Sequence, residues 1–196
     1  LPLTDVGLTS GNSRYEKSFL DQLAEMDIVP SDIDLVAFSH MHYDHVGAAN
    51  AFTDSTLLIQ ETEAVAAFEH PEDNPVFREE LYNELRNTNR RILNGDYDVF
   101  GDGSVRIISA PGHTPGHQVL YLELEKYGPL ILSGDLYHFE ASRVMRRVPG
   151  FNTNVKETLS SMDKIEELVV TSGAIFWIEH SKQLAESLNL APAFYD

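Results

Sequence analysis

The stretch Ser39-His40-Met41-His42-Tyr43-Asp44-His45-Val46-Gly47 places three imidazoles and one carboxylate within six consecutive positions. It follows directly on the apolar run Leu35-Val36-Ala37-Phe38, which reads as a buried strand. Neutral imidazole nitrogens and a carboxylate oxygen are the donors that a borderline divalent ion such as Zn²⁺ accepts, and the carboxylate offsets part of the ion's charge. Alternate residues of an extended segment point the same way, so His40 and His42 can close on one ion. Asp44 and His45, where the chain turns, then face another. Two ions from one loop are the expectation.

Outward from this stretch, the same event recurs. The strand Val105–Ser109 runs into Ala110-Pro111-Gly112-His113-Thr114-Pro115-Gly116-His117, where Pro and Gly fix the backbone around His113. The short apolar strand Leu130-Ile131-Leu132 leads to Ser133-Gly134-Asp135, and Ala174–Ile178 delivers Glu179-His180. Independent strands have no structural reason to end each time in a metal ligand. In layered α/β proteins ligands sit in the crevice outside such strand ends. Two-metal binding is therefore the inference from the residues themselves.

The remaining elements frame these strands. Ser13-x-x-Glu16 reads as a capping box opening a helix with Tyr15, Phe19, Leu20, Leu23 and Met26 toward the core, ended by Pro30. Thr56–Gln60 reads as a strand, and Glu61–Glu69 as a short helix with Val65 and Phe68 inward. Pro75 to Ile92 reads as a longer amphipathic helix carrying Phe77, Leu81, Tyr82 and Leu85, either core or the wall of a cleft. The segments Asn94–Tyr97 and Asp102-Gly103 bracket an edge strand or loop. Gln118–Leu124 is a strand and Glu125–Pro129 a hairpin turn. Asn154 with Glu157 opens a helix bearing Val155, Leu159, Met162, Ile165 and Leu168 that Gly173 closes.

Composition narrows the function. The 196 residues form one domain's worth of chain, 42% hydrophobic, with no Cys, so any metal must be held by His and carboxylate. The formal net charge of −17 repels phosphate backbones and anionic lipids, which argues against nucleic acid as a partner, although bound cations reverse that field locally. No apolar run approaches the ~20 residues of a membrane span, and Leu1-Pro2-Leu3-Thr4 lacks signal-peptide character. The compartment stays open: cytoplasmic, or periplasmic or secreted after removal of a leader.

The motifs SHMHYDHVGAAN, PGHTPGH, SGD and the final EH, in this order, resemble those of the metallo-β-lactamase-fold hydrolases. With GPLILSGDLYHF and FWIEH they are most similar to the N-acyl-homoserine lactonases, over Asp34 to His180. The resemblance implies an α/β fold of αββα sandwich type in a single domain spanning 1–196. Its leading half normally begins with strands ending in an Asp-x-Gly turn. Too few residues precede His40 to supply them as well as the helix, so N-terminal strands are expected to be missing; Asp5-Val6-Gly7 is a faint echo. The resemblance further implies that His40, His42 and His113 hold one ion, that Asp44, His45 and His180 hold the second, and that Asp135 bridges both. Zn²⁺ is the expected metal, with Co, Fe or Mn as alternatives.

The family's PGHTPGH carries one ligand, so His117 is expected to make a buried hydrogen bond instead, while His70 is a surface residue. Such lactonases usually carry a Tyr three places after the bridging Asp, where it contacts the lactone. This chain has His138 there and Tyr137 one place earlier; position favours His138 as the donor, and the two should point to opposite sides. The resemblance implies opening of the lactone ring by a hydroxide bridging the ions, with the leaving alkoxide taking its proton from Asp44 or through a bound water. Met41, Tyr43, Phe68, Phe77, Leu81, Phe139 and Met145 are candidates for an acyl groove, with Met41 and Tyr43 equally readable as packing. A homodimer fits the family. The alternatives are a phosphotriester, phosphodiester, thioester or β-lactam hydrolase on the same centre, a two-iron oxidoreductase, or an inactive metal-binding protein.

Overall fold

A computed structural model describes residues 17–196. Ser18 caps α1 (Phe19–Ala24) through a reciprocal box with Asp21: Asp21 N–H donates to Ser18 Oγ at 3.1 Å, and Ser18 N–H donates to Asp21 Oδ2 at 3.2 Å. The box expected at Ser13 and Glu16, along with Tyr15 and Asp5-Val6-Gly7, lies outside the described residues. The expectation that this helix packs a face on the core needs correction. It is six residues long and buries none of them, and Phe19 is exposed.

Among the described residues, eight strands form two sheets. β1 (Leu35–Ala37), β2 (Thr56–Gln60) and β3 (Arg90–Leu93) form a parallel three-stranded sheet in that order. β4 (Tyr97–Asp98), β5 (Val105–Ser109), β6 (Gln118–Leu124), β7 (Gly128–Leu132) and β8 (Ile175–Trp177) form the five-stranded sheet, antiparallel except for the parallel β7–β8 pair. Helices α2 (Glu61–Phe68) and α4 (Val155–Ser172) cover the outer faces, while α3 (Glu140–Met145) and α5 (Lys182–Ser187) lie near the strand ends.

The period-two alternation of side chains along a strand sorts residues between these layers. On β2, Leu57 and Ile59 join the core under α2, while Leu58 joins Leu93 and Ile107 between the sheets. On β5 and β6, Ile108, Val119 and Tyr121 face outward to Met162 and Ile165 of α4, while Ile107 faces the other sheet. The layers are thus helix, sheet, sheet, helix. Buried Gln118 ties them: its N–H donates to Ser39 O at 2.8 Å and its Nε2 to Phe38 O at 2.9 Å.

α4 has the termini its sequence demands. Asn154 accepts from the amides of Lys156 and Glu157 at 3.0 and 3.1 Å, and Gly173 closes it at φ 69°. Val155, expected inward, is exposed, as is Val65 of α2, where Glu63, Ala64, Ala67 and Phe68 take the buried face.

The long helix expected over Pro75 to Ile92 is replaced by short 3₁₀ turns at Glu79–Leu81 and Asn83–Asn87, followed by β3. The cause is the loop it packs on. Phe77 forms a β-bridge with His42, and Tyr43 N–H donates to Val76 O at 3.2 Å, so the segment's backbone is committed to the His40–His45 loop and cannot coil. Its apolar stripe still serves the core: Phe77, Tyr82 and Leu85 are buried, and Leu81 packs against them.

Candidate metal centre

Four strand ends bring the histidines and carboxylates to one crevice. His40 and His42 follow β1 after a bend at Ser39, and His42 pairs with Phe77 in an isolated β-bridge. The chain then turns, with His45 N–H donating to His42 O at 3.0 Å, which redirects Asp44 and His45. His113 leaves β5 in a turn closed by Gly112 N–H to Thr114 O at 2.9 Å. Gly112 has φ 130°, and a Cβ there would stand 2.2 Å from Thr158 N, so only glycine lets this loop lie against α4. Asp135 leaves β7 in the 3₁₀ turn Gly134–Leu136, and a Cβ on Gly134 would come within 2.7 Å of His117 Nε2. His117 accepts the Asp135 N–H at that nitrogen, 3.0 Å away, and donates from Nδ1 to Ala110 O at 3.0 Å. It therefore orients the Asp135 turn through a buried hydrogen bond, as its position led us to expect. His70 lies on the surface.

The two oxygens of Asp135 divide the cluster. Oδ2 faces His113 Nε2 and His138 Nε2, each at 3.2 Å, and His40 Nε2 at 3.9 Å. Oδ1 faces His45 Nε2 at 3.2 Å and His180 Nε2 at 3.1 Å, and Asp44 Oδ2 stands 3.8 Å from the same His180 nitrogen. On the first side, His113 Nε2 is 3.1 Å from both His40 Nε2 and His42 Nδ1. Three ring nitrogens meeting at this distance cannot satisfy one another with protons, since a neutral imidazole has one donor and one acceptor. A cation fits where they converge. The donor atoms of His40, His42 and His113, and those of Asp44, His45 and His180, lie within 4.8 Å of one another in each group. The residues thus fit two adjacent ions sharing Asp135, with nitrogen and oxygen donors that suit several divalent metals.

The electrostatics agree. Burial pushes the proton affinity of His40 well below the ordinary range and lowers that of His113; it brings His42 and His117 down to about 3. Their lone pairs are free for a metal. Burial also opposes charge on His45, but Asp135 and Glu179 prevail and raise it to about 10, and Asp135 raises His180. Burial works against ionisation of Asp135, yet His138, His180 and His45 hold it well below the usual carboxylate range.

Partners outside the ligand set anchor the rings. Asn152 Oδ1 lies 3.1 Å from His113 Nδ1, Ser39 Oγ lies 3.1 Å from His40 Nδ1 and 3.3 Å from His45 Nδ1, and Asn74 Nδ2 lies 3.2 Å from His42 Nε2. Fully buried Glu63 ties the two main loops, accepting Met41 N–H at 2.8 Å and Gly116 N–H at 2.9 Å. Sequence reading singled out none of these four as anchors. Only the spacing of Asn152 to the α4 cap offered a signal.

The expected substrate contacts separate into groups. Met41 and Phe68 are buried in the core beneath the three-stranded sheet. Phe77 is buried there too, with its ring 5.5 Å from that of His42. Tyr43 and Leu81 are half-buried, while Phe139 and Met145 are exposed on and before α3. Phe151, which sequence reading missed, stands exposed with its ring 5.9 Å from His113 and 5.5 Å from His138. Tyr137 points away from the centre into the second core, against Phe176, whereas His138 points into the cluster.

Comparison with known proteins bears on this centre. The Metallo-beta-lactamase superfamily profile matches residues 3–171. N-acyl homoserine lactonase AttM of Azorhizobium caulinodans is 30% identical over 190 residues, covering 93% of this chain and 71% of the relative. N-acyl homoserine lactonase AiiA of Bacillus thuringiensis subsp. kurstaki is 30% identical over 181 residues, covering 91% and 68%. Among solved structures, an N-acyl homoserine lactone hydrolase with N-hexanoyl-L-homoserine at its catalytic metal center superposes with TM-score 0.83 at 28% identity, over all of this chain and 76% of the other. The chain belongs to the metallo-beta-lactamase superfamily, with the metal-dependent hydrolase centre of that fold. Within it, the chain is homologous to the N-acyl homoserine lactonases.

Proposed function

We propose that this protein hydrolyses the lactone ring of N-acyl-homoserine lactones on a dinuclear centre, with Zn²⁺ as the metal pair. The observation that carries the reading is the division of Asp135 between two imidazole groups, which suits a pair of ions and a small electrophile between them. When bound, such ions lower the pKa of a shared water and polarise a carbonyl. Asp135, Asp44 and five imidazoles, from His40, His42, His45, His113 and His180, would hold the pair. Asp44, exposed and 3.8 Å from His180, would pass a proton to the departing alkoxide, directly or through a water, a role its position supports. Exposed Phe139 and Phe151, with rings 6.4 and 5.5 Å from that of His138, suit an acyl tail, and Met145 on α3 is a further exposed apolar candidate. A neutral lactone needs no basic clamp, in keeping with a net charge of −17.

The relatives named N-acyl homoserine lactonases and the product-bound neighbour support this choice over a phosphoester. Acid release from hexanoyl- and decanoyl-homoserine lactone is measured by pH-stat beside a phosphotriester. Turnover of the lactones is expected; turnover of the phosphotriester alone would move the substrate. Phe139→Ala and Met145→Ala are expected to raise KM for the decanoyl substrate more than for the hexanoyl one. Equal KM changes would remove these side chains from the groove.

A further inference from the structure

We propose that His138 supplies an additional imidazole ligand to the ion on the His40–His42–His113 side. The inference rests on the two-metal reading of the site and not on the lactone substrate. His138 Nε2 and His113 Nε2 face the same oxygen of Asp135, each at 3.2 Å, and the donor atoms of His113, Asp135 and His138 lie within 4.8 Å of one another. The His138 side chain is 16% exposed. Its ring stacks on His180, centroids 5.4 Å apart and planes 8° from parallel, and meets the edges of His113 and Phe151 at 5.5 Å each. Those contacts hold Nε2 toward the centre.

The residue type decides what this position can do. A neutral imidazole offers a metal a lone pair near neutral pH, whereas the phenol that the family pattern carries here must first lose a proton of pKa about 10. His138 therefore brings a metal donor to a place where the pattern has a hydrogen-bond donor. It is the weaker ligand of its group. His40, His42 and His113 each have a polar neighbour on the second ring nitrogen, but His138 Nδ1 is buried with no hydrogen-bond partner among the described residues. Such anchors raise ligand basicity and fix the ring, so a ring without one is the first to yield its place to an incoming oxygen.

The test uses the full chain loaded with Co²⁺, as wild type, His138→Gln and His138→Tyr. In the wild type, hyperfine-shifted ring protons are expected from His138 as well as from His40, His42, His45, His113 and His180. His138→Gln is expected to lose one imidazole set, alter the visible cobalt bands and weaken one of the two ions by roughly 10-fold or more. His138→Tyr should do the same. Unchanged bands, shifted resonances and cobalt affinity, with only KM for a lactone raised, would overturn the proposal and leave His138 as a substrate contact. If the variants fail to fold, the wild-type spectrum alone decides, because absence of shifted His138 protons contradicts ligation. A wild type that does not bind two cobalt ions would overturn the two-metal reading along with this one.

Discussion

The two sides of the metal centre share one carboxylate and differ in almost everything else. His40, His42 and His113 are buried, each with a polar neighbour on its second nitrogen, and burial keeps their rings neutral. Asp44 and His180 are about a third exposed on their side chains, and His45 is held toward its charged form by Asp135 and Glu179. One side is a rigid, dry pocket of lone pairs; the other is a rim of groups that already interact with one another. The difference teaches that a single loop motif does not make two equivalent sites. The same six residues of sequence furnish a pre-formed site just after the strand and an open one where the chain turns.

The largest expected effect comes from removing what the sides share. Asp135→Ala should abolish lactone turnover and leave His45 and His180 without their nearest counter-charge. Loss of the partner of a buried ion pair costs about 3–5 kcal/mol, which urea denaturation of the metal-free variant would show as a lowered midpoint. The comparison itself is broken or kept by His42→Ala against His180→Ala. The first should eliminate the tight ion and the second only the weak one, read as metal content after dialysis. Equal losses would mean the two sides are not different after all.

Smaller effects come from the scaffold. Glu63→Gln sets an amide NH₂ against one of the two backbone amides that the carboxylate now accepts, Met41 N–H and Gly116 N–H. An unsatisfied buried donor costs about 1–3 kcal/mol, measurable as a fall in Tm, and the misaligned loops should weaken the first ion more than the second. Asn152→Ala removes the partner of His113 Nδ1, along with the hydrogen bond that Asn152 Nδ2 donates to Thr158 Oγ1, and should reduce affinity for the first ion by roughly 10–100-fold while leaving the second unchanged.

What was legible in the sequence follows the same division. The four strand ends, the His-x-His-x-Asp-His motif and the Asn154 and Gly173 caps of α4 could be read because each is local: a period, a cap, or a ligand at a strand terminus. The helix expected over Pro75–Ile92 failed because an apolar stripe with helical spacing also suits turns pinned from outside, here by the bridge between Phe77 and His42. Non-local pairing overrode local propensity. The ring anchors Ser39, Asn74 and Asn152 were invisible for the same reason. Serine and asparagine are ordinary loop residues until the fold places them beside a histidine.

The most direct measurement is a calorimetric titration of the metal-free protein with Zn²⁺. Two ions per chain, bound in separate steps with the tighter step lost in His42→Ala and the weaker in His180→Ala, is the predicted result. One ion per chain, or two that both variants weaken alike, would contradict a dinuclear centre built from unequal halves around Asp135.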